Sequence, residues 1–469
     1  MNAANRQEGL PSTPALTRAV DSMSQGSVGL TVLRTGLPLA IAMASHAMIN
    51  LVDLALVGQL GKEAAAAAHI ASVVNFVPMI VGNSISVAAM AVLSQQLGAG
   101  EQGRAKAFAR ASLRWMFVAG AVVSVLSALP AAICVDSIGS EGSVRSDAIH
   151  YLVVSNLGCL PMFVLMQATA VMRAAGETAA PLFVLLFANG LNLVLDVVLL
   201  FGWEAAGIPA IGVTGAAYAT VASRAVAAVV ALWWLHRPQH RFGVHITIAK
   251  ERTPVAARLL HGAWPQVVQI GLRAAVVWGI TAMVQRRLGD DGTAALAVTT
   301  RLDTLVLFSA LGFASAATTV AGRAVASGEI RRARAAGLHA GLQAFLFGSA
   351  VVFAFQQTAE PMLRAFVPAA GPPVVAAGML YVSVAAVAQP FAACALGAMG
   401  APHGAGRMLG PLAVDLVGFA ALLVSLLCAA QLELASIYLV LVGGAAALAL
   451  LHLTLVAAGS WPLRRTVTD

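Results

Sequence analysis

Long apolar stretches separated by short polar punctuation run the length of the chain. Twelve such runs fall near residues 33–57, 69–96, 108–134, 149–172, 181–202 and 210–235, then 255–285, 294–322, 337–358, 374–399, 408–430 and 434–459. Each is long enough for about 20 helical residues, the length that crosses a bilayer. A transmembrane barrel would alternate apolar and polar at every second position. Val184 to Leu200 is instead apolar with isolated polar residues, which is the helical pattern. The pattern predicts an all-α polytopic membrane protein with twelve transmembrane helices.

Composition narrows the function classes. Of 469 residues 59% are hydrophobic and 10% charged, with a mean hydropathy of +0.85. Soluble domains carry about 25% charged residues, so a soluble enzyme, a disordered chain and a disulfide-stapled module are all excluded. The net charge of +8 does not indicate a nucleic-acid partner, because most basic residues lie between spans. Cys134, Cys159, Cys394 and Cys428 are scattered through apolar runs without metal-like spacing and read as small core residues. Residues 1–30 are polar and lack a signal-peptide pattern, so a flexible cytoplasmic tail is expected.

Basic residues also set the orientation. With the N-terminus inside, twenty of the 28 Lys and Arg fall in the tail, in the connections on its side and at the chain's end, while five fall on the opposite side and three within spans. Cytoplasmic segments retain Lys and Arg, so both termini are expected in the cytoplasm of a bacterial inner membrane.

The most polar connection divides the chain nearly in half, and the halves resemble one another. A shift of 227 or 228 places Pro38 on Pro265, Leu60-Gly61 on Leu288-Gly289, Gly100-Glu101 on Gly328-Glu329 and Arg104-Ala105 on Arg332-Ala333. Six spans return the chain to its starting side, so the two six-helix bundles are related by a pseudo-two-fold axis along the membrane normal. The expected organisation is a tail (1–30), an N-terminal lobe (31–236), a cytoplasmic linker (237–254), a C-terminal lobe (255–460) and a second tail (461–469). Two bundles facing a central cavity form a transporter layout, and one chain supplies both, so a monomer is expected.

Ionisable residues inside spans cost about 2.5–3.5 kcal/mol each and call for a role. Asp53 shares a helical stripe with Asn50 and His46, and Asp196 shares one with Asn192 and Asn189. Counting about 1.5 Å per residue from the predicted span ends places Asp53, Asp196 and Thr214 at nearly one level beneath the outer face. Two carboxylates, an amide and a hydroxyl suit a hard cation such as Na⁺ at Asp53, Asn192 and Asp196. They equally suit a proton shared by the acids. Asp53 maps onto Thr281 in the second half, which therefore lacks the same site. His46 reads as a packing residue or a proton relay.

In the second half, Arg273 and Asp303 come close enough in level for a salt bridge, with Arg301 beside Asp303 in sequence; a substrate-facing Asp303 is the alternative. Asp415 is either a lone protonated acid or a partner of Arg407. Gln167, Asn75, Asn83 and Gln389 are intramembrane amides that either tie helices together or line the cavity.

These residues resemble the MATE (multidrug and toxic compound extrusion) family over nearly the whole chain. The resemblance rests on Pro38, the run from Val52-Asp53 to Val57-Gly58-Gln59-Leu60-Gly61, and Ser94-Gln95-Gln96-Leu97-Gly98-Ala99-Gly100. It continues with Met172-Arg173-Ala174-Ala175-Gly176-Glu177-Thr178, Asn192-Leu193-Val194-Leu195-Asp196 and Gly212-Val213-Thr214-Gly215-Ala216-Ala217. In prokaryotic members such positions form the Na⁺ or H⁺ site of the N-terminal lobe, which implies that role for Asp53, Asn192, Asp196 and Thr214. Several relatives carry a glutamate eight residues after the proline of span 7. Arg273 stands there instead, so coupling is expected in the first bundle alone.

The resemblance implies an antiporter that exchanges Na⁺ or H⁺ for amphiphilic compounds, cationic ones foremost, with no cofactor beyond the coupling ion. The sequence holds no phosphate loop with Lys, no zinc His-Glu helix and no Gly-x-Ser-x-Gly elbow, so an enzyme is not expected. The competing readings are a lipid-linked oligosaccharide flippase, for which Arg224, Arg273 and Arg301 would bind pyrophosphate, and a non-transport membrane protein.

Overall fold

The structure, a computed structural model, describes residues 26–137, 142–237, 255–366 and 372–459. The first half comprises α1 (Val28–Gly58), α2 (Lys62–Gly98), α3 (Gln102–Ala128), α4 (Ala131–Ser137), α5 (Gly142–Leu157), α6 (Cys159–Ala174), α7 (Ala179–Phe201) and α8 (Val213–His236). The second comprises α9 (Val255–Ala326), α10 (Ile330–Phe366), α11 (Pro372–Ser383), α12 (Ala388–Gly404), α13 (Leu409–Cys428) and α14 (Leu434–Ala458). Eleven helical segments are long and apolar enough to cross a membrane, and the bent pair α5–α6 makes the twelfth span. Two main apolar cores form, one around Phe163, Met116 and Leu235 of the first half joined by Val255, Leu259 and Ala263, the other around Phe313, Tyr438 and Ile437 of the second joined by Val32 and Ala40.

Several element ends differ from the hydropathy expectation, each for a local reason. Helix α2 begins at Lys62 rather than near 69, because the Ala-rich run that follows favours helix although it is barely apolar. Helix α1 begins at Val28, inside the expected tail. Spans 7 and 8 are joined without a loop, and α9 simply reverses at Gly289, whose φ is 60°. Residues 1–25, most of the expected linker (238–254) and the expected C-terminal tail lie outside the described residues.

The duplication is visible in the backbone. Gly61 (φ 114°) and Gly289 (φ 60°) both turn the chain with positive φ after the first helix of their halves, and Gly100 (φ 76°) and Gly328 (φ 83°) do so after the second. Left-handed conformations of this kind favour glycine, which is why those landmarks keep register. The fourth span is also broken in both halves. Pro161 lacks an N–H and crowds the carbonyl of Leu157, bending α5 against α6 by 41°. The Ser124 hydroxyl of α3 repairs the break, accepting from the Leu160 N–H at 3.0 Å and donating to the Leu157 carbonyl at 3.2 Å. In the second half α11 and α12 are separated just before Pro390, and Gln356 of α10 donates to the freed Val382 carbonyl at 3.2 Å. In each bundle, then, the third span caps the broken fourth.

The halves meet along a seam at the end of the molecule where α1 begins. A Cβ at Gly312 would lie 2.3 Å from the Ala40 nitrogen, and one at Gly98 would lie 2.5 Å from the Arg323 Cα. The two backbones therefore touch directly. Hydrogen bonds across the same end run from Gln95 to the Gly404 carbonyl (2.8 Å), from Arg323 to the Ala174 carbonyl (2.7 Å) and from Gln343 to the Gly29 carbonyl (2.8 Å). This seam closes one side of the molecule.

Candidate functional site

Asp53 lies five residues before the end of α1 and Asp196 five before the end of α7, both helices ending on the face opposite the seam. Their carboxylates stand within hydrogen-bonding reach of each other. Asp196 is 1% exposed and Asp53 half-buried. Asp53 Oδ1 and both carboxylate oxygens of Asp196 are buried without a protein hydrogen-bond donor. Buried acceptors of this kind are costly unless something electropositive reaches them, and the donor set is all oxygen, which fits Na⁺ or a proton.

The same helices bring further groups to the pair. Tyr151 of α5 and Arg224 of α8 both lie within electrostatic reach of Asp53, and Tyr151 also of Asp196. Arg224 approaches the Met162 sulfur at 3.5 Å. Two ionised carboxylates and one guanidinium leave a single negative charge in excess.

The remaining expected residues divide. Asn192 donates to the Thr220 hydroxyl at 3.4 Å, so its contact on α8 is Thr220, two turns beyond Thr214. Thr214 sits in the first turn of α8, next to Gly215, which packs on the Leu199 carbonyl of α7. His46 lies 3.4 Å from Asn189 Oδ1, within reach of Arg224, and stacks on Phe308 of the other half with ring centroids 6.1 Å apart. Asn50 is half-buried on the stripe between His46 and Asp53.

Two expectations need correction. Arg273 does not pair with Asp303: its NH2 lies 3.8 Å from Asp415 Oδ1, while Asp303 Oδ2 accepts from the Tyr381 hydroxyl. Depth along a helix fixes level but not direction, and the two residues point to different neighbours. Asp415 meets His452 Nε2 at 2.9 Å and Arg273 at 3.8 Å, so it is not a lone acid. Gln167 is fully buried and donates to Ser112 at 2.8 Å, so of its two expected roles the structure shows the tie between helices, α6 to α3. Arg301 is half-buried with His69 of α2 in electrostatic reach across the halves.

Tyr151, His452 and Tyr381 escaped the sequence reading. A tyrosine or histidine that shares no stripe with other polar residues gives no spacing signal, and Arg224 entered only through the flippase reading, not as a neighbour of Asp53.

Twelve spans in two bundles, closed together at one end and holding buried charge inside, define a multi-pass membrane transporter. The MatE family matches residues 38–198 and 276–429, one stretch in each half, and the chain belongs to this family of transporters. Similar proteins include the probable multidrug resistance protein NorM of Deinococcus radiodurans, 27% identical, with 83% of this chain and 85% of that protein covered. A protein of the same name from Thermotoga maritima is 23% identical over 82% of each chain. A FAD transporter of Shewanella oneidensis is 23% identical over 78% of this chain and 74% of its own. Among solved structures, an outward-facing multidrug resistance MATE family transporter of the MOP superfamily shares the fold with a TM-score of 0.85 at 20% identity, covering 96% of this chain and 98% of that one. A MOP superfamily transporter from Pyrococcus furiosus, described as having a binding pocket of reverse polarity, has a TM-score of 0.84 at 20% identity over 96% and 98%.

Proposed function

We propose that the chain is a secondary antiporter of the inner membrane, with cytoplasmic termini, that expels small amphiphilic compounds in exchange for Na⁺ or H⁺ taken up at Asp53 and Asp196. The observation that carries this reading is the meeting of those two carboxylates, from separate helices, with three buried oxygens lacking a donor. The names of the NorM relatives support multidrug efflux as the activity. The flippase reading loses support, because Arg224 lies in electrostatic reach of Asp53 and Arg273 stands 3.8 Å from Asp415, so each already has an acidic neighbour.

The mechanism follows from the seam. With the bundles closed at the cytoplasmic end, a cation reaches Asp53 and Asp196 from outside and cancels their repulsion. Helix α1 then repacks, which disfavours the cargo-bound state and releases the cargo outward. Dye-loaded proteoliposomes under separately imposed Na⁺ and pH gradients test the reading. At least one gradient should raise efflux about tenfold over the ungradiented rate, a difference of about 1.4 kcal/mol in coupling. No acceleration under either gradient refutes it.

Arg224 has a distinct expected signature. Arg224→Gln leaves two acidic groups with no positive neighbour, so the half-saturating cation concentration for efflux should fall about tenfold, the effect of removing one like-charge neighbour. An unchanged cation dependence would remove Arg224 from the site.

A further inference from the structure

A second charged cluster is buried in the other bundle, and the proposed exchange leaves it unused. Asp415 of α13 is 0% exposed and His452 of α14 is 1% exposed, with Nε2 and Oδ1 2.9 Å apart. Arg273 of α9 approaches the same oxygen at 3.8 Å from over the Phe419 ring, and its side chain is 21% exposed. His403 of α12, 5% exposed, lies within electrostatic reach of all three. These are the titratable groups presented to Asp415 by α9, α12 and α14; the adjoining turn Ala429–Gln431 adds none.

The hydrogen-bond inventory of the cluster is unbalanced. Asp415 Oδ2, His452 Nδ1 and His403 Nε2 are all buried without a partner. When His452 Nε2–H donates to Asp415, its Nδ1 is a bare acceptor, and so is Oδ2 of the carboxylate. Donors are short and acceptors abound around the buried carboxylate and imidazoles. A proton converts one acceptor into a donor and needs no more room than the site already has. Among the described residues no group of three His, Cys, Asp or Glu is placed to hold a metal ion, so the chemistry favours a proton.

We propose that Asp415 and His452, beside Arg273, form a proton-binding site in the second bundle, separate from the acidic pair of the first. With Asp415 ionised and both histidines neutral, the acid and Arg273 cancel. A proton arriving from water on His452 makes the cluster singly positive, and the added charge repels the guanidinium. Arg273, the partly exposed member held only at 3.8 Å, is the group that yields. Proton uptake therefore loosens α9 from α13. The first bundle joins the corresponding helices through His46, Asn189 and Arg224, and there the acids stand further along, so the two bundles answer to different inputs.

The test uses the full-length protein in nanodiscs with ¹³C-labelled histidine, stepped from about pH 8 to about pH 5.5. Infrared difference spectroscopy reads the imidazolium formed. His452→Gln should lose one imidazolium equivalent, Asp415→Asn should also reduce the signal, and Arg273→Gln should increase it at the same final pH. Equal signals in the wild type and all three variants overturn the proposal. Should His452→Gln fail to fold, the opposite changes in the Asp415 and Arg273 variants decide, and changes of the same sign overturn it. Asp53→Asn should leave the spectrum unaltered, which keeps this result distinct from the fate of the antiport reading.

Discussion

Asp53→Asn is expected to reduce gradient-driven dye efflux to the level of empty liposomes, and Asp196→Asn to do the same. Each change keeps the side chain's size and one oxygen but removes a negative charge, so the site of net charge minus one becomes neutral and no longer selects a cation. Coupling needs a differential affinity between two states, and a site that no longer binds the driving ion provides none. A loss of at least about a hundredfold is expected, corresponding to about 3 kcal/mol of coupling. Protein yield and melting temperature should not fall with it, because removing one of two adjacent buried like charges relieves repulsion. Retained efflux in both variants would contradict the site. Loss of efflux together with loss of folded protein would assign the acids to stability.

Valine at Gly312 or Gly98 should impair transport through the seam. At both positions a Cβ would meet backbone of the opposite half, at 2.3 Å from the Ala40 nitrogen and 2.5 Å from Arg323. Backbone cannot rotate away as a side chain does. Overpacking of this kind costs about 1–3 kcal/mol, and because only the closed state makes the contact, the cost falls on that state alone. The closed population should drop about five- to a hundredfold, with efflux falling accordingly. A cysteine placed at Ser315, buried beside Met90 in the seam, should become more reactive toward maleimide in these variants. Unchanged labelling and unchanged efflux would mean that the seam is not a moving closure.

Much of this was legible in the amino-acid order. Period-3.6 stripes put His46, Asn50 and Asp53 on one face and Asn189, Asn192 and Asp196 on another, and helix rise put the two acids at one level. The structure has each five residues from its helix end, where the span boundaries suggested four and six. Glycines required by positive φ kept the repeat in register. Rotation about the helix axis was not legible, because nothing in a hydropathy pattern says which neighbour a polar residue faces. Hence Arg273 was expected against Asp303 and is found against Asp415, and Asn192 reaches Thr220. The break at Pro161 was hidden for a different reason. Ser124, thirty-seven residues away, satisfies the freed backbone groups, and an unbroken apolar run covers the bend.

The equilibrium cargo gradient against an imposed cation gradient, with the membrane potential clamped at zero in proteoliposomes, tests the exchange most directly. One cation per cargo molecule, as the charge count at Asp53, Asp196 and Arg224 requires, gives a logarithmic slope of about one for whichever of Na⁺ or H⁺ is coupled. A slope near two, or a cargo gradient indifferent to both cations, would contradict it.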